Sequence, residues 1–359
     1  SYKALQDWFY SLKNVLYVSA QLQCDMRKNS YIQPDDHSGD FQVDVRLTDP
    51  AFFHIYQFHF LEGKPFTVAD LTSGIHTAVI TDGLSRRIFG TVEGVVGRRL
   101  SLNYVNYRVC GVVEEASYLT SQSYSQLYVP YSVFPGYREP KYDMDYLGAF
   151  SVTFMVKDDA KADDLRKEIT EIVRKTNLMY KDEWSVEFWN QPTSHLVSVF
   201  QSSAGEEFDA GATIRYFLLV LLVLLLVPAL NLSGMISSRM EGRLAEMGVR
   251  KSFGAGRGSL LSQVMWENLL LTLLGGILGL LLAWLLLYIG RDWVFTMLDK
   301  WPDMVPEGIN VHVSGEMLFA PLVFVLTLVL CILLNMLSAL IPAWYSLRKP
   351  IVHSLSEKQ

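Results

Sequence analysis

Three stretches after position 213 decide what this chain can fold into, because each is too long and too apolar to be covered by a water-soluble core. They run over residues 214–235, 268–289 and 317–345; the first carries only Arg215, at its edge, and the other two hold no charged residue. A helix needs roughly 20 such residues to cross about 30 Å of hydrocarbon. The sequence therefore predicts three membrane-spanning helices in an all-α domain over residues 214–359. Residues 1–213 mix charges, turn residues and short alternating apolar runs, the pattern of a water-exposed fold.

Orientation follows from the basic residues flanking the spans. Between the first two lie Arg239, Arg243, Arg250, Lys251 and Arg257 against Glu241 and Glu246, and Arg348 and Lys349 follow the third, so these segments are expected in the cytoplasm. The second connection carries Arg291 and Lys300 against Asp292, Asp299, Asp303 and Glu307, and is expected outside. By parity the N-terminal domain is extracytoplasmic. Residues 1–24 are interrupted by Lys3, Asp7 and Lys13 and hold no run that could export it. The expectation is a further N-terminal membrane helix ahead of Ser1; the alternative is an inverted topology.

The exported part reads as α+β, in two small α/β lobes over residues 1–190, with a linker over 191–213. In the first lobe, Phe41, Val43, Val45 and Leu47 alternate along a strand, Asp49-Pro50 opens a short helix, and 77–81 is a strand. Asp82 is the expected N-cap of a helix ending at Phe89 with Gly90 as its C-cap, followed by strands at 98–102, 107–113 and 126–129. In the second, a strand at 150–156 leads to a helix over 161–177 with Leu165, Ile169, Ile172 and Val173 on one stripe, and Trp184, Val186 and Phe188 alternate as a last strand.

Several chemistries are excluded. Thirty-one Lys and Arg against 37 Asp and Glu, with no long basic run, leave no footprint for nucleic acid. No GxSxG, HExxH or GxxxxGK[ST] pattern occurs, so neither a catalytic residue nor a cofactor is assigned to this chain, which is not expected to be an enzyme. Asp35-Asp36-His37, beside Pro34 and Ser38-Gly39, reads as a solvated turn rather than a metal site, and His54 and His59 as packing residues. Three cysteines make no disulfide framework; Cys24 and Cys110 either form one bridge or stay separate thiols. No Asp, Glu, Lys or His lies mid-span, which argues against a proton- or ion-coupled carrier, and Asn231 and Asn335 read as interhelical hydrogen-bonding residues. Gly275 and Gly279 form a GxxxG expected to pack helices.

The most informative stretch joins the first two spans, Arg239 to Leu271. It reads as a short amphipathic helix with Leu244 and Met247 on one side and Arg243, Glu246 and Arg250 on others, stopped at Gly254. A lipid anchor would use its positive charge alone; a rigid helix of mixed charge suits docking to a protein. Here Arg243, Glu246, Met247, Gly248, Arg250, Lys251, Phe253, Gly254 and Ala255 resemble the cytoplasmic signature of the FtsX/MacB superfamily of ABC-transporter permeases, and Glu267 resembles its acidic residue at the foot of the next helix. Pro342, Arg348, Pro350 and Leu355 are similar to the family's closing pattern, and segments from Asp49 to Glu115 resemble the MacB-type periplasmic core in the same order.

The resemblance implies a four-helix permease of the bacterial inner membrane. It implies a homodimer or heterodimer working with a separate ABC ATP-binding subunit that holds ATP and Mg, and contact with a periplasmic adaptor or cell-envelope protein. Residues 246–255, with Arg243, would touch the ATPase, whose closure would move the extracytoplasmic domain for efflux or extraction. A sensor or scaffold that regulates an envelope partner without transport is the alternative, and a membrane-tethered hydrolase a distant third.

Overall fold

A computed structural model of the chain describes residues 1–24, 29–34, 39–116, 120, 122–139, 145–158, 160–181, 183–200, 208–298 and 320–348. The described residues fall into two compact units, one running to Phe200 and the other starting at Phe208. The Asp35-Asp36-His37 turn, Pro350 and Leu355 lie outside the described residues.

The N-terminal unit is built on one mixed sheet of ten strands among the described residues. These are β1 (Tyr17–Leu22), β2 (Ser30–Gln33), β3 (Phe41–Val43), β4 (Val45–Thr48), β5 (Phe60–Gly63), β6 (Thr77–Thr81), β7 (Arg99–Leu102), β8 (Val105–Val113), β9 (Leu127–Pro130) and β10 (Phe150–Met155). Their order is β10-β1-β4-β9-β6-β8-β7-β2-β3, with β5 on β8; β4–β9 and β6–β8 are parallel and the other pairs antiparallel. Its helices are α1 (Tyr2–Ala4), α2 (Ala51–Ile55), α3 (Val68–Ser73), α4 (Asp82–Phe89), α5 (Ala160–Met179) and α6 (His195–Phe200).

Because successive side chains of a strand point to opposite faces, the central strands feed two cores. Ala78 and Ile80 of β6 and Leu127 and Val129 of β9 enter one cluster, while Val79 and Tyr128 enter a second, aromatic cluster with Phe52 and Phe53 of α2 and Phe66. With both faces covered, β6 is buried along its whole length. A third cluster joins Leu12 to Leu165 and Ile169 of α5, flanked by Phe9, Phe154 and Phe188. The second lobe thus has a core of its own, yet its strand β10 pairs with β1, so both lobes share one sheet.

Local details depart from the sequence reading in instructive ways. The stretch 41–47 is two strands broken at Asp44: β3 pairs with β2, while β4 lies between β1 and β9. Covered on both sides, β4 buries even Arg46, whose guanidinium donates to Gln21 Oε1 at 2.5 Å and the Tyr124 carbonyl at 2.7 Å. Thr81, not Asp82, caps α4, accepting from the Leu84 amide at 3.3 Å; Asp82 sits one residue further in, where it pairs with Arg86. Gly90 closes that helix in the left-handed region, as expected.

Residues 184–188 form no strand. Val186 is gripped instead by the Asn177 side chain of α5, its amide donating to Oδ1 at 2.7 Å and its carbonyl accepting from Nδ2 at 2.9 Å. One side-chain amide here does the work of a strand partner. Cys24 and Cys110 are separate thiols, and burial pushes that of Cys110 up to about 12. His54 stacks on Tyr17, while His59 meets Glu114 at the surface rather than packing inside.

The second unit holds α7 (Ala210–Gly242), α8 (Leu244–Ser252), α9 (Arg257–Leu298) and the last helix, α10 (Pro321–Arg348). Three of them carry spans long and apolar enough to cross a membrane, at Ala210–Gly242, Arg257–Gly290 and Pro321–Tyr345. Asp209 caps α7 by accepting from the Ala212 amide at 2.9 Å. At 1.5 Å per residue, the 42 residues of α9 reach about 63 Å, twice the hydrocarbon thickness, so this helix continues well past the bilayer. Rows of leucine stay exposed along α7 and α9, a surface that suits lipid and not water.

Within this unit α10 packs against both α7 and α9. Ala339 and Ala343, one turn apart and fully buried, let the neighbouring helices close in. Asn335 donates to Thr272 Oγ1 across the α10–α9 contact, the bond expected of it; Asn231 is exposed.

Candidate functional site

The signature residues gather around α8, a nine-residue helix between the first two spans. Its apolar side is settled by Met247, which is buried with Ile236 and Met240 of α7, Leu260 and Val264 of α9, and Ala339 and Ala343 of α10. Gly248 is buried beside it, and Ala255 packs against the same cluster. At Gly254, φ is +90°, a backbone state that L side chains rarely adopt; it turns the chain from α8 into α9.

The polar side closes on itself. Arg243 donates to Glu267 Oε2 at 2.5 Å and lies 3.6 Å from Glu246. Glu246 accepts from Arg250 at 2.6 Å, Arg250 donates to Gln263 Oε1 at 2.7 Å, and Gln263 donates to Glu267 Oε1 at 3.1 Å. The five side chains thus form an unbroken ring. Its charged members are each 40–48% exposed, so a single pair contributes at most about 1 kcal/mol. What the ring adds is geometry, since every polar group in it is oriented by two neighbours.

The signature therefore divides by location. Arg243, Glu246 and Arg250 are engaged within the chain, Met247 and Gly248 are buried, Lys251 is half-buried, and Phe253 stands 88% exposed at the turn, near the 47%-exposed Val249. Gln263 escaped the sequence reading. Its signal was the i,i+4 spacing to Glu267, which places both on one face of α9 and matches that of Glu246 and Arg250 on α8.

The two glycines expected to pack helices face open space within the chain, and Gly276 makes the close approach instead: a Cβ there would lie 2.7 Å from Leu328 Cδ1 of α10. Among the described residues no group of three or more His, Cys, Asp or Glu is arranged to hold a metal.

The chain matches the MacB-like periplasmic core domain over residues 3–172 and the FtsX-like permease C-terminal domain over residues 218–351. It belongs to the MacB- and FtsX-like ABC transporter permeases. The permease is 22% identical over 299 residues to the ABC transporter permease YknZ of Bacillus subtilis, a match covering 81% of this chain and 66% of that one. It is 25% identical over 246 residues to the macrolide export ATP-binding/permease protein MacB of Salmonella paratyphi A, covering 68% of this chain and 35% of the relative. It thus spans just under two thirds of the first and about a third of the second. The crystallised periplasmic region of MacB from Actinobacillus actinomycetemcomitans is 17% identical, with a TM-score of 0.37, over 49% of this chain and 72% of that one.

Proposed function

We propose that this permease is the membrane subunit of an ABC transporter complex in which a separate ATP-binding subunit docks on α8 and its following turn. ATP-driven closure of that subunit displaces α8, and the membrane helices carry the displacement to an extracytoplasmic N-terminal unit, for efflux or extraction of a substrate. The observation that carries this reading is Phe253. A large aromatic ring 88% exposed at a tight turn, just after a short helix whose Glu246 and Arg250 are already paired with each other, is the kind of anchor that protein interfaces bury. A lipid anchor would rest on basic groups turned to the membrane surface, and two of those in this connection, Arg243 and Arg250, are engaged within the chain.

Purification in mild detergent, followed by mass spectrometry, tests it. An ATP-binding subunit is expected to accompany the wild-type chain; Phe253→Asp should lower its recovery at least tenfold, and Phe253→Leu should largely retain it. A permease that purifies alone, or full recovery with Phe253→Asp, overturns the reading.

A further inference from the structure

The polar ring ties α8 more firmly to one neighbour than to the other. The hydrogen bonds that the Arg243 and Arg250 side chains make outside α8 both end on α9, at Glu267 and Gln263. Arg243 and Arg250 stand seven residues apart, about 10 Å along a helix, and their partners four residues apart, about 6 Å. Two struts so separated resist rocking and twisting, where a single strut would leave a pivot. Met247, packed with Leu260 and Val264 of α9 as well as with Ile236 and Met240 of α7, fills the space beside them, so the apolar contacts are shared and the polar ones are not. The α8–α9 break at Phe253–Gly256 is therefore bridged by side chains. The α7–α8 break is of another kind. Arg243 leaves the helical region at φ −104°, ψ 3°, its amide donating back to the Met240 carbonyl at 3.2 Å, while its side chain reaches away to α9.

We infer that Arg243, Gln263 and Glu267 are positioning residues that make α8 and the first turns of α9 one mechanical body, so that a push on α8 is delivered to α9, with the Arg243 backbone as the hinge toward α7. The functional part rests on the docking of an ATP-binding subunit at α8; the clamp itself does not. On this view Glu246 and Arg250 are part of the clamp rather than contacts for the partner, and their exchange as a pair is tolerated better than either single reversal.

Pulsed electron paramagnetic resonance on the full chain in lipid nanodiscs tests the clamp. The native cysteines are replaced, and nitroxides are placed at Ser252 and Ser262, both exposed. The wild-type background should give one narrow distance distribution, Arg243→Ala one at least twice as wide, and the exchanged pair Arg243→Glu with Glu267→Arg a narrow one again. Gln263→Ala, which removes a strut from the exposed side of α9, should widen it too, and serves if Arg243→Ala does not fold. A width indifferent to both Arg243→Ala and Gln263→Ala overturns the clamp.

A second label pair, Ser262 and Thr327, reads delivery to α9 in the complex with the ATP-binding subunit. Its ATP-dependent shift should fall at least threefold in Arg243→Ala, with subunit recovery unchanged, and return in the exchanged pair. An undiminished shift overturns the delivery role. A narrow, Arg243-dependent width with no subunit ever recovered keeps the clamp and overturns the docking reading; recovery of the subunit with an indifferent width does the reverse.

Discussion

Asp49 ties two elements of the N-terminal unit together, β1 and α2, from a site that water barely reaches. Its carboxylate accepts from Ser19 Oγ at 2.9 Å and the Ala20 amide at 2.7 Å in β1, and from the Phe52 amide at 3.1 Å in α2. Burial pushes its pKa up to about 6 from 3.8, against the pull of those hydrogen bonds. A carboxyl raised on folding binds its proton more tightly in the folded state, so its contribution is full below about pH 4 and is lost as pH rises through about 6. Stability of this unit should therefore increase by roughly 2–3 kcal/mol between pH 7 and pH 4 on this account, and Asp49→Asn should remove that part of the slope. Hydrogen exchange at the Ala20 and Phe52 amides, corrected for intrinsic rates, reads it; an identical slope in the variant rejects the assignment. Gly63 makes a second residue-scale case. Its φ of +72° and a would-be Cβ 2.3 Å from the Cys110 carbonyl oxygen leave no room for a side chain between β5 and β8. Gly63→Ala should cost about 2–4 kcal/mol, measured by denaturant unfolding.

At the scale of elements, the two lobes differ in how their pieces are joined. Strands of the first are held by ladders, whereas 184–188 is attached to α5 by the single amide of Asn177 and by Phe188 in the third core. Asn177→Ala should raise the exchange rate of the Val186 amide about tenfold, the equivalent of roughly 1.4 kcal/mol, and leave β1 and β10 protected. Equal loosening of β10 would show that the lobe opens as one piece. The alternation of Trp184, Val186 and Phe188 is real, but an alternating run becomes a strand only when a neighbouring backbone is available, and here the neighbour is a side chain. The same reasoning explains β4. Alternation of Val45 and Leu47 with Arg46 and Thr48 suits one buried face, yet partners on both sides and α2 above bury Arg46 and Thr48 as well.

For the whole molecule the testable statement is orientation. With the basic connection around α8 in the cytoplasm, a membrane-impermeant thiol reagent applied to intact cells should label Met179→Cys, 79% exposed at the end of α5, and should reach Ser252→Cys only after lysis. The reverse pattern inverts the topology.

The sequence by itself determined the three apolar helices, the α+β character of the N-terminal unit and the position of most of its strands. These follow from local period and composition, which a helix or strand expresses wherever it sits. The tertiary structure alone decided which signature residues are free. Glu246 and Arg250 look like an exposed charged pair in sequence, and only the approach of Gln263 and Glu267 from a second helix makes them two of the five members of a ring. Likewise Gly275 and Gly279 carry the recognisable spacing while Gly276 carries the contact, because the angular position of α9 against α10 is set by packing with Leu328 and Asn335. Spacing along one helix specifies a face; which neighbour that face meets depends on side chains remote in sequence.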